Sequence, residues 1–381
     1  METMQPVLKN GRNVWDRINM PEAEFHERLN KIRKKMKREN LDLLLLYGNG
    51  YDDYGNYSYL SNYIIRLARG ALVALPIKGE PALIFEGASR GIPSVRKTTW
   101  IQEIRAGGDA SKECMKFLEE KKWVPSTVGL IGVKSQMPHD QLRFLRDSLK
   151  GSRLLDVEPL LDEMRMVKSL REIDQIRRAA RILSHALAVL SETFFSEVNE
   201  KTIEGTLYRE ARMEGAEDFR LMISRPKRDQ GTFRPPEEGT LLSGETVVFY
   251  LAVEFERYWS EAIRTFVVKG NVLVPVERED SKERYKKLME FLEPGKAASQ
   301  FCKEAFAQIR KEKAQPLPCY GLGQGVGLSP REYPTLSKDD KTILKEGMCL
   351  TFRLLVKDEI FGAVMIGNTL LLTRKGPEIL T

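Results

Sequence analysis

The clearest structural signal is a pair of similar segments, Gly244-Glu-Thr-Val-Val-Phe-Tyr250 and Gly347-Met-Cys-Leu-Thr-Phe-Arg353. Each segment begins at a glycine, which is typical of a turn, and continues into a run of residues that is typical of a strand. A second strand-like segment follows each one, at residues 258–268 and 363–373. The repeat therefore predicts two similar β-hairpins related by a pseudo-twofold axis.

Polar residues occupy equivalent positions in the two predicted hairpins. Successive side chains of a strand alternate between its two faces, so Tyr250 shares a face with Val248, and Arg353 shares a face with Thr351. Tyr250 and Arg353 also stand at the same distance from the glycine that opens each segment. We therefore expect a central polar site where the two hairpins meet.

The first part of the chain has the alternating helix and strand pattern of a small α/β domain. Apolar spacing predicts a helix over residues 21–39, and the run Leu41-Asp-Leu-Leu-Leu-Leu-Tyr47 predicts a buried strand. Further strands are predicted at residues 71–76, 81–85 and 128–131, and further helices at residues 110–120 and 140–149.

A chain of 381 residues is long enough to form two hydrophobic cores. The polar and acidic passage at residues 151–167 has the composition of a connection between domains. A long amphipathic helix follows it, with an apolar stripe from Ile173 to Leu190, and a second helix is predicted over residues 202–215. We therefore predict two domains, at residues 1–160 and 161–381.

The composition is that of a globular protein without a nucleic-acid-binding surface. Hydrophobic residues make up 42% of the chain and charged residues 30%, which is enough apolar material for packed cores. The net charge of +7 comes from 61 basic residues that are interleaved with 54 acidic ones. The densest basic run, residues 31–38, has Ile32 and Met36 at helical spacing and predicts an amphipathic helix. We expect no nucleic-acid partner.

The cysteine spacing and the short apolar runs favour a cytoplasmic protein. The four cysteines form no C-x-x-C pair, so neither a zinc knuckle nor a disulfide framework is indicated. The longest aliphatic run, from Leu43 to Leu46, is far too short to span a bilayer. We expect a reducing compartment and no membrane association. The cysteines are Cys114, Cys302, Cys319 and Cys349.

Several motifs, in colinear order, resemble those of one family. Tyr258-Trp-Ser-Glu-Ala-Ile-Arg-Thr265 resembles a Tyr-x-Ser-Asp-x-x-Arg-Thr strand, and Gly321-Leu-Gly-Gln-Gly-Val-Gly-Leu328 resembles a Gly-His-Gly-x-Gly loop. Three further segments are similar to motifs of the same proteins: Met164-Arg-Met-Val-Lys-Ser-Leu-Arg-Glu-Ile-Asp174, Tyr59-Leu-Ser-Asn-Tyr63 and Gly376-Pro-Glu-Ile-Leu-Thr381. The resemblance is to the creatinase and prolidase/aminopeptidase P family. It implies an α/β (α+β) fold, in which a creatinase-type amino-terminal domain precedes a pita-bread, aminopeptidase-like domain.

The chain departs from this family at the positions that hold two metal ions in its metal-dependent members. The resemblance implies two aspartates, one histidine and two glutamates there, because divalent ions bind anionic oxygens and neutral imidazole. This chain has one acidic side chain in the set, and Arg353 brings a permanent positive charge. We therefore expect no metal and no other cofactor. The five positions hold Tyr250, Glu261, Gln324, Arg353 and Gly367.

A mechanism based on histidine is not expected either. Creatinase, the metal-independent branch of the family, relies on a histidine upstream of the first hairpin. The corresponding stretch here is Gly231-Thr-Phe-Arg-Pro-Pro236, which has none. The three histidines of the chain, His26, His139 and His185, lie in or beside predicted helices and are more typical of surface or core positions.

The candidate site residues are polar side chains near the predicted centre. Glu261, Glu332 and Tyr250 are the candidate proton carriers for acid–base catalysis. Arg353 or Arg331 could bind a ligand carboxylate, and the two glutamates could bind an amine or a guanidinium group. The alternative is that Glu261 and Arg353 form a buried ion pair that serves only as a scaffold. The other candidate ligand-binding residues are Gln324, Tyr258 and Phe233, with Tyr51, Asp53 and Tyr54 contributed by the first domain of a neighbouring subunit.

Three classes of function are compatible with these features. The first is a metal-independent, creatinase-like enzyme that acts on a C–N bond of a small zwitterionic or carboxylate-bearing substrate. The second is a pseudoenzyme that binds a small ligand or supports an active relative as a subunit. The third is a peptide-binding module. The resemblance also implies a homodimer, because creatinase-type dimers bring the first domain of one subunit to the site of the other.

Overall fold

The computed structural model describes residues 14–50, 54–65, 69–193, 195, 197–311, 314–316 and 320–381. The chain forms two compact units, Met1–Arg165 and Met166–Thr381. Within the described ranges, no helix has both the length and the apolar character that crossing a membrane requires.

The first unit is built around a six-stranded mixed sheet with the strand order β4-β3-β2-β1-β5-β6. Its strands are β1 (Leu43–Asn49), β2 (Gly70–Pro76), β3 (Ala82–Glu86), β4 (Glu103–Gly107), β5 (Thr127–Ile131) and β6 (Arg153–Asp156). Its helices are α1 (Glu22–Arg38), α2 (Gly55–Ser61), α3 (Ile92–Arg96), α4 (Ala110–Glu120), α5 (Val133–Gln136), α6 (His139–Ser148) and α7 (Pro159–Met166), and a 3₁₀ turn spans Ser89–Gly91.

The local predictions for the first unit are confirmed with one exception. The aliphatic run from Leu43 to Leu46 is fully buried in β1, between β2 and the parallel strand β5. The passage at residues 151–167, which we interpreted as a connection, instead contains β6 and α7. The boundary between the two units, after Arg165, does lie in this passage. Its strand was not predicted because β6 is an edge strand whose residues are half-buried or exposed, so it lacks the apolar pattern of a core strand.

The second unit is built around a ten-stranded sheet, whose main path is β13-β12-β14-β15-β9-β8-β7. Its strands are β7 (Asp218–Ser224), β8 (Thr246–Phe255), β9 (Tyr258–Lys269), β10 (Val272–Pro275), β11 (Ala314–Gln315), β12 (Gly323–Gly325), β13 (Glu332–Thr335), β14 (Cys349–Asp358), β15 (Gly362–Thr373) and β16 (Gly376–Ile379). Its helices are α8 (Leu170–Glu192), α9 (Glu200–Met213), α10 (Pro226–Asp229), α11 (Glu279–Met289) and α12 (Ala298–Lys311).

The two predicted hairpins are present and meet at the centre of this sheet. Strands β8 and β9 form the first antiparallel hairpin, and β14 and β15 form the second. The hairpins join where β15 pairs with β9, with Gly367 opposite Ile263. The arrangement agrees with the pseudo-twofold core that the sequence repeat predicts.

Helices cover one face of each hairpin and leave the other face for a site. Side chains of β8 that alternate with Tyr250, such as Phe249 and Leu251, pack in a core with α8 and α9. On the same side of the second hairpin, Phe352 and Leu354 pack in a core with α11 and α12. The opposite side chains of both hairpins, including Tyr250, are therefore directed away from the helices.

Three cysteines in the described part of the chain are unpaired and buried: Cys114, Cys302 and Cys349. Burial raises the pKa of the Cys349 thiol to about 12, so this side chain stays a neutral thiol near neutral pH. The fourth cysteine, Cys319, lies outside the described residues.

A buried glutamate anchors the loop that follows α10. Glu200, which is 1% exposed, accepts hydrogen bonds from Arg234 Nη1 and Nη2 at 2.7 and 2.8 Å and from the main-chain nitrogen of Glu237 at 2.8 Å. Burial alone would raise the pKa of Glu200, but the hydrogen bonds and charge of Arg234 outweigh it, and the pKa is lowered. Arg234 follows Phe233, so this contact fixes the loop next to the candidate site.

We predict that Glu200→Gln lowers the free energy of unfolding at neutral pH by about 1–3 kcal/mol, because Arg234 loses its anionic partner. A carboxyl whose folded pKa is lowered stabilises the fold above its unfolded pKa, and this contribution disappears as the pH falls through the folded pKa. Urea unfolding should therefore show a difference between variant and wild type that shrinks on acidification. Glu204→Gln, at a half-buried position of the same helix where the carboxylate pairs with Lys201, serves as control, and a difference independent of pH would contradict the prediction.

Candidate functional site

A buried ion pair joins the two hairpins at the centre of the sheet. Arg353 Nε donates to Glu261 Oε1 at 2.6 Å, and Arg353 Nη2 donates to Glu261 Oε2 at 2.8 Å. Each side chain is 3% exposed. Two parallel hydrogen bonds between a guanidinium and a carboxylate form the strongest geometry available to such a pair. The buried ion pair that the sequence analysis gave as the alternative for Glu261 and Arg353 is therefore present.

The strand register brings the two charges together. Glu261 lies on β9 opposite Ala252, and Arg353 lies on β14 opposite Gly367 of β15. Gly367 separates Arg353 from the first hairpin, and a Cβ atom there would lie only 2.9 Å from Cγ1 of Ile263. The glycine thus leaves room for Ile263.

Hydrogen bonds on three sides fix the ion pair. Tyr250 donates its hydroxyl proton to Glu261 Oε2 at 2.9 Å, and Arg353 Nη1 donates to the carbonyl of Tyr320 at 3.1 Å. The main-chain nitrogen of Glu261 donates to Thr369 Oγ1 at 2.8 Å. Because both carboxylate oxygens and three nitrogens of the pair have partners, the desolvation of the two charges is well compensated.

The electrostatics of the site favour a charged pair with a neutral tyrosine beside it. Burial, followed by the charge of Glu261, raises the pKa of Tyr250. Burial alone would lower the pKa of Arg353, but the adjacent carboxylate reverses this effect and the pKa is raised. Tyr250 therefore keeps its proton near neutral pH and acts as a hydrogen-bond donor.

Three aromatic rings line the face of the sheet next to the ion pair. The ring centroid of Phe233 lies 5.9 Å from that of Tyr250 and 5.5 Å from that of Tyr320, and the two tyrosine rings are 6.4 Å apart. We call these residues the aromatic trio. Tyr250 and Tyr320 are half-buried, so part of the trio reaches solvent. The apolar side chains around it are Met222, Val248, Ile263, Leu355, Ala363 and Met365.

The structure places Glu332 in a different ion pair. Lys168 Nζ donates to Glu332 Oε2 at 2.7 Å, the main-chain nitrogen of Ser329 donates to Oε1 at 3.1 Å, and both charged side chains are buried. Glu332 thus has firm contacts at both oxygens, which does not favour the predicted role as a proton carrier.

Tyr258 does not face the predicted site. It lies three residues before Glu261 on β9, so the two side chains are on opposite faces of the strand. Its hydroxyl donates to Glu172 Oε1 of α8 at 3.2 Å, and the residue is 2% exposed. The prediction that Tyr258 binds a ligand beside Glu261 was wrong because it overlooked this alternation.

The remaining candidates have different positions. Gln324 Nε2 donates to the carbonyl of Pro330 at 3.1 Å, and Arg331 is exposed. Tyr54 is buried at the beginning of α2 in the first unit, with 6% of its surface exposed. Tyr51 and Asp53 lie outside the described residues.

Sequence reasoning missed three residues that position the central pair and its surroundings. Thr369 binds the main chain of Glu261, and the carbonyl of Tyr320 accepts from Arg353. Lys168 neutralises Glu332. Lys168 belongs to the motif from Met164 to Asp174. Its partner, Glu332, lies 164 residues further along the chain, beyond the range of any local sequence pattern.

A chain with a creatinase-type α/β unit, followed by a pseudo-twofold sheet that carries a central polar site, has the architecture of the prolidase-type peptidases. Residues 28–167 match the model of the creatinase/prolidase N-terminal domain, and residues 174–374 match that of metallopeptidase family M24. The chain belongs to metallopeptidase family M24. The family resemblance read from the motifs is therefore confirmed.

Relatives match over most of their length. The chain is 25% identical over 367 residues to an Xaa-Pro dipeptidase of Pyrococcus horikoshii, with 94% of this chain and 97% of that protein covered. It is 27% identical to an uncharacterized peptidase of Methanocaldococcus jannaschii, with 72% and 79% covered. The structure of the Pyrococcus horikoshii prolidase matches with a TM-score of 0.75 and 23% identity, over 93% of this chain and 98% of that one. The aminopeptidase P structure from E. coli matches with a TM-score of 0.71 and 16% identity, over 94% of both chains. The structural matches confirm the fold.

The residues of this site do not fit the metal ions that the family name implies. Within the ranges that the structure describes, no three His, Cys, Asp or Glu side chains are grouped so that they could hold a metal. Both oxygens of Glu261 already accept hydrogen bonds, and the guanidinium of Arg353 lies against them. A second carboxylate at position 367 would overlap Ile263. A divalent cation would face a fixed positive charge and would lack ligands.

We predict that Arg353→Met and Glu261→Gln each lower the free energy of unfolding by about 3–5 kcal/mol, because each leaves a buried polar partner uncompensated. The double variant should lose much less than the sum of the two, and this difference measures their coupling. Urea unfolding of the wild type, the two single variants and the double variant measures this coupling.

The matched control is Arg374→Met, which removes an exposed arginine that pairs with Glu346, and it should have little effect. Additive losses in the double variant would show that the two side chains do not depend on each other for stability.

Proposed function

We propose that this chain is a metal-independent member of family M24 that binds a ligand rather than hydrolysing a peptide bond. The observation that supports the proposal is the bidentate contact between Arg353 and Glu261. In this arrangement a protein cation and a protein anion satisfy each other where the family resemblance implies metal ions. The ion pair then acts as part of the scaffold under a binding surface.

The state of the candidate proton carriers favours binding over catalysis. A general acid or base must reach a substrate atom with a proton to give or a free lone pair. Glu261 is occupied by Arg353 and Tyr250, and Glu332 is occupied by Lys168 and Ser329. The raised pKa of Tyr250 excludes it as a base near neutral pH. A creatinase-like enzyme that breaks a C–N bond is thus the second candidate, and it requires the Glu261 contacts to open on substrate binding.

The chemistry next to the pair favours a ligand with a carboxylate and a flat apolar part. A guanidinium has five N–H donors, and the contacts of Arg353 use three of them. The remaining donors could bind a carboxylate, while the aromatic trio could stack against the apolar part. Three donors already bind the two oxygens of Glu261, so we propose a carboxylate ligand rather than a creatine-like one.

We predict that the purified protein retains no stoichiometric transition metal after dialysis. Added manganese, cobalt or zinc should not produce hydrolysis of Xaa-Pro dipeptides, because the site offers one engaged carboxylate and a guanidinium. Elemental analysis and an amine-release assay test this, with a metal-dependent Xaa-Pro dipeptidase as control for the substrate and the metal stocks. Two equivalents of metal per chain, or metal-stimulated turnover, would refute the proposal.

We also predict that a screen of small carboxylates by thermal shift gives ligands that raise the melting temperature, because a ligand that binds only the folded state stabilises it. Phe233→Leu should reduce the shift by removing one ring of the aromatic trio. Phe306→Leu, on the helix-covered side of the second unit, is the matched control and should retain it. Equal shifts in both variants would remove the aromatic trio from the binding surface.

A further inference from the structure

The sheet of the second unit ends in a strand with an open main-chain edge. Strand β7 is the last strand of the ten-stranded sheet and pairs with β8 on one side, with Met222 opposite Tyr250. The strand at the other end of the main path, β13, has four residues and contains Pro334, which lacks an N–H group. Strand β7 has seven residues and no proline, so its outer edge could extend the sheet.

The chain itself forms one isolated antiparallel bridge at this edge. The main-chain nitrogen of Ile223 donates to the carbonyl of Arg234 at 2.8 Å, and the nitrogen of Arg234 donates back at 2.9 Å. Ile223 therefore directs its main-chain groups outward. This internal pairing stops after one residue, because Pro235 and Pro236 follow Arg234 and lack N–H groups.

Two further residues of β7 present main-chain groups in the same direction. Alternate residues of an edge strand point their N–H and C=O groups outward, so Leu221 and Phe219 continue the series that begins at Ile223. Among the described residues, neither has a main-chain hydrogen bond on this outer side. Both side chains pack in the core with α8 and α9, so the strand is held rigidly while its edge stays open.

Arg220, which lies between Phe219 and Leu221, brings a positive charge to this edge. Arg220 directs its side chain to the same face as Met222 and Tyr250, and its guanidinium lies 4.4 Å from the ring centroid of Trp259. The side chain is 51% exposed, and Arg220 Nη2 lies 3.3 Å from Oδ2 of Asp218. Stacking on Trp259 holds the charge in place beside the open edge.

We propose that the edge of β7 binds an extended peptide segment of a partner protein, which adds to the sheet as a further strand. Its main chain would pair with Leu221 and Phe219, and an acidic side chain of the segment would pair with Arg220. Strand addition of this kind takes affinity from main-chain hydrogen bonds and specificity from alternate side chains. The proposal does not depend on whether the central site binds a small carboxylate.

The test uses a fluorescein-labelled heptapeptide of alternating valine and glutamate, and measures its binding by fluorescence anisotropy. Strand pairing uses the N–H groups of alternate peptide residues, so N-methylation of one alternate set should weaken binding about tenfold or more, whereas N-methylation of the other set should be tolerated. A heptapeptide of valine and lysine should bind less tightly than the acidic one.

Variants at positions 220 and 221 test whether the peptide binds at β7. Arg220→Gln should weaken binding of the acidic heptapeptide several-fold and reduce its salt dependence. Leu221→Pro should remove binding, because it deletes an outward N–H group, and Leu221→Val is its control since it retains that group. The Arg220→Gln result and the methylated peptides decide the matter if Leu221→Pro does not fold.

Three outcomes would overturn the proposal: no binding at millimolar peptide, equal losses from both sets of N-methylation, or binding unaffected by Arg220→Gln. A homodimer in light scattering that Leu221→Pro dissociates would also overturn it, because a second copy would then occupy the edge. None of these results bears on metal content or peptidase activity, so this proposal and the proposed function fail separately.

Discussion

The central constraint on this structure is a pair of opposite charges buried at the junction of two hairpins. Burying an isolated guanidinium or carboxylate is strongly unfavourable, so each is acceptable only with the other and with further hydrogen bonds. The neighbouring positions meet this requirement. Tyr250 binds one carboxylate oxygen, the carbonyl of Tyr320 binds the guanidinium, and Gly367 leaves the space that Ile263 fills.

The same constraint bears on metal binding, which the name of the family implies. Two divalent cations need several anionic oxygens directed at one point. Here one carboxylate is present, and the positive charge opposite it belongs to a side chain that keeps its proton. The ion pair links the hairpins as bound cations would, but it leaves no open coordination position at which water could be activated. We therefore propose that the fold of family M24 is retained here around a site of different chemistry.

The sequence predicted those features that depend on local periodicity. Helix α4 was predicted at its observed limits, and the contact between Glu261 and Arg353 was expected from the positions that the family resemblance assigns to them. The contacts of Tyr258 and Glu332 were not predicted. Tyr258 lies on the helix side of β9. Strict alternation of side chains along the strand would have predicted this position. The partner of Glu332 is Lys168, and a contact over so long a separation depends on the packing of the whole unit.

The central claim is that Arg353 and Glu261 occupy the place of the metal ions. The most direct test is anomalous diffraction at the manganese edge from crystals that were equilibrated with millimolar manganese at neutral pH. The account predicts no anomalous peak beside Glu261 and a guanidinium still paired with the carboxylate. Two strong peaks within bonding distance of Glu261, with the side chain of Arg353 displaced, would contradict it.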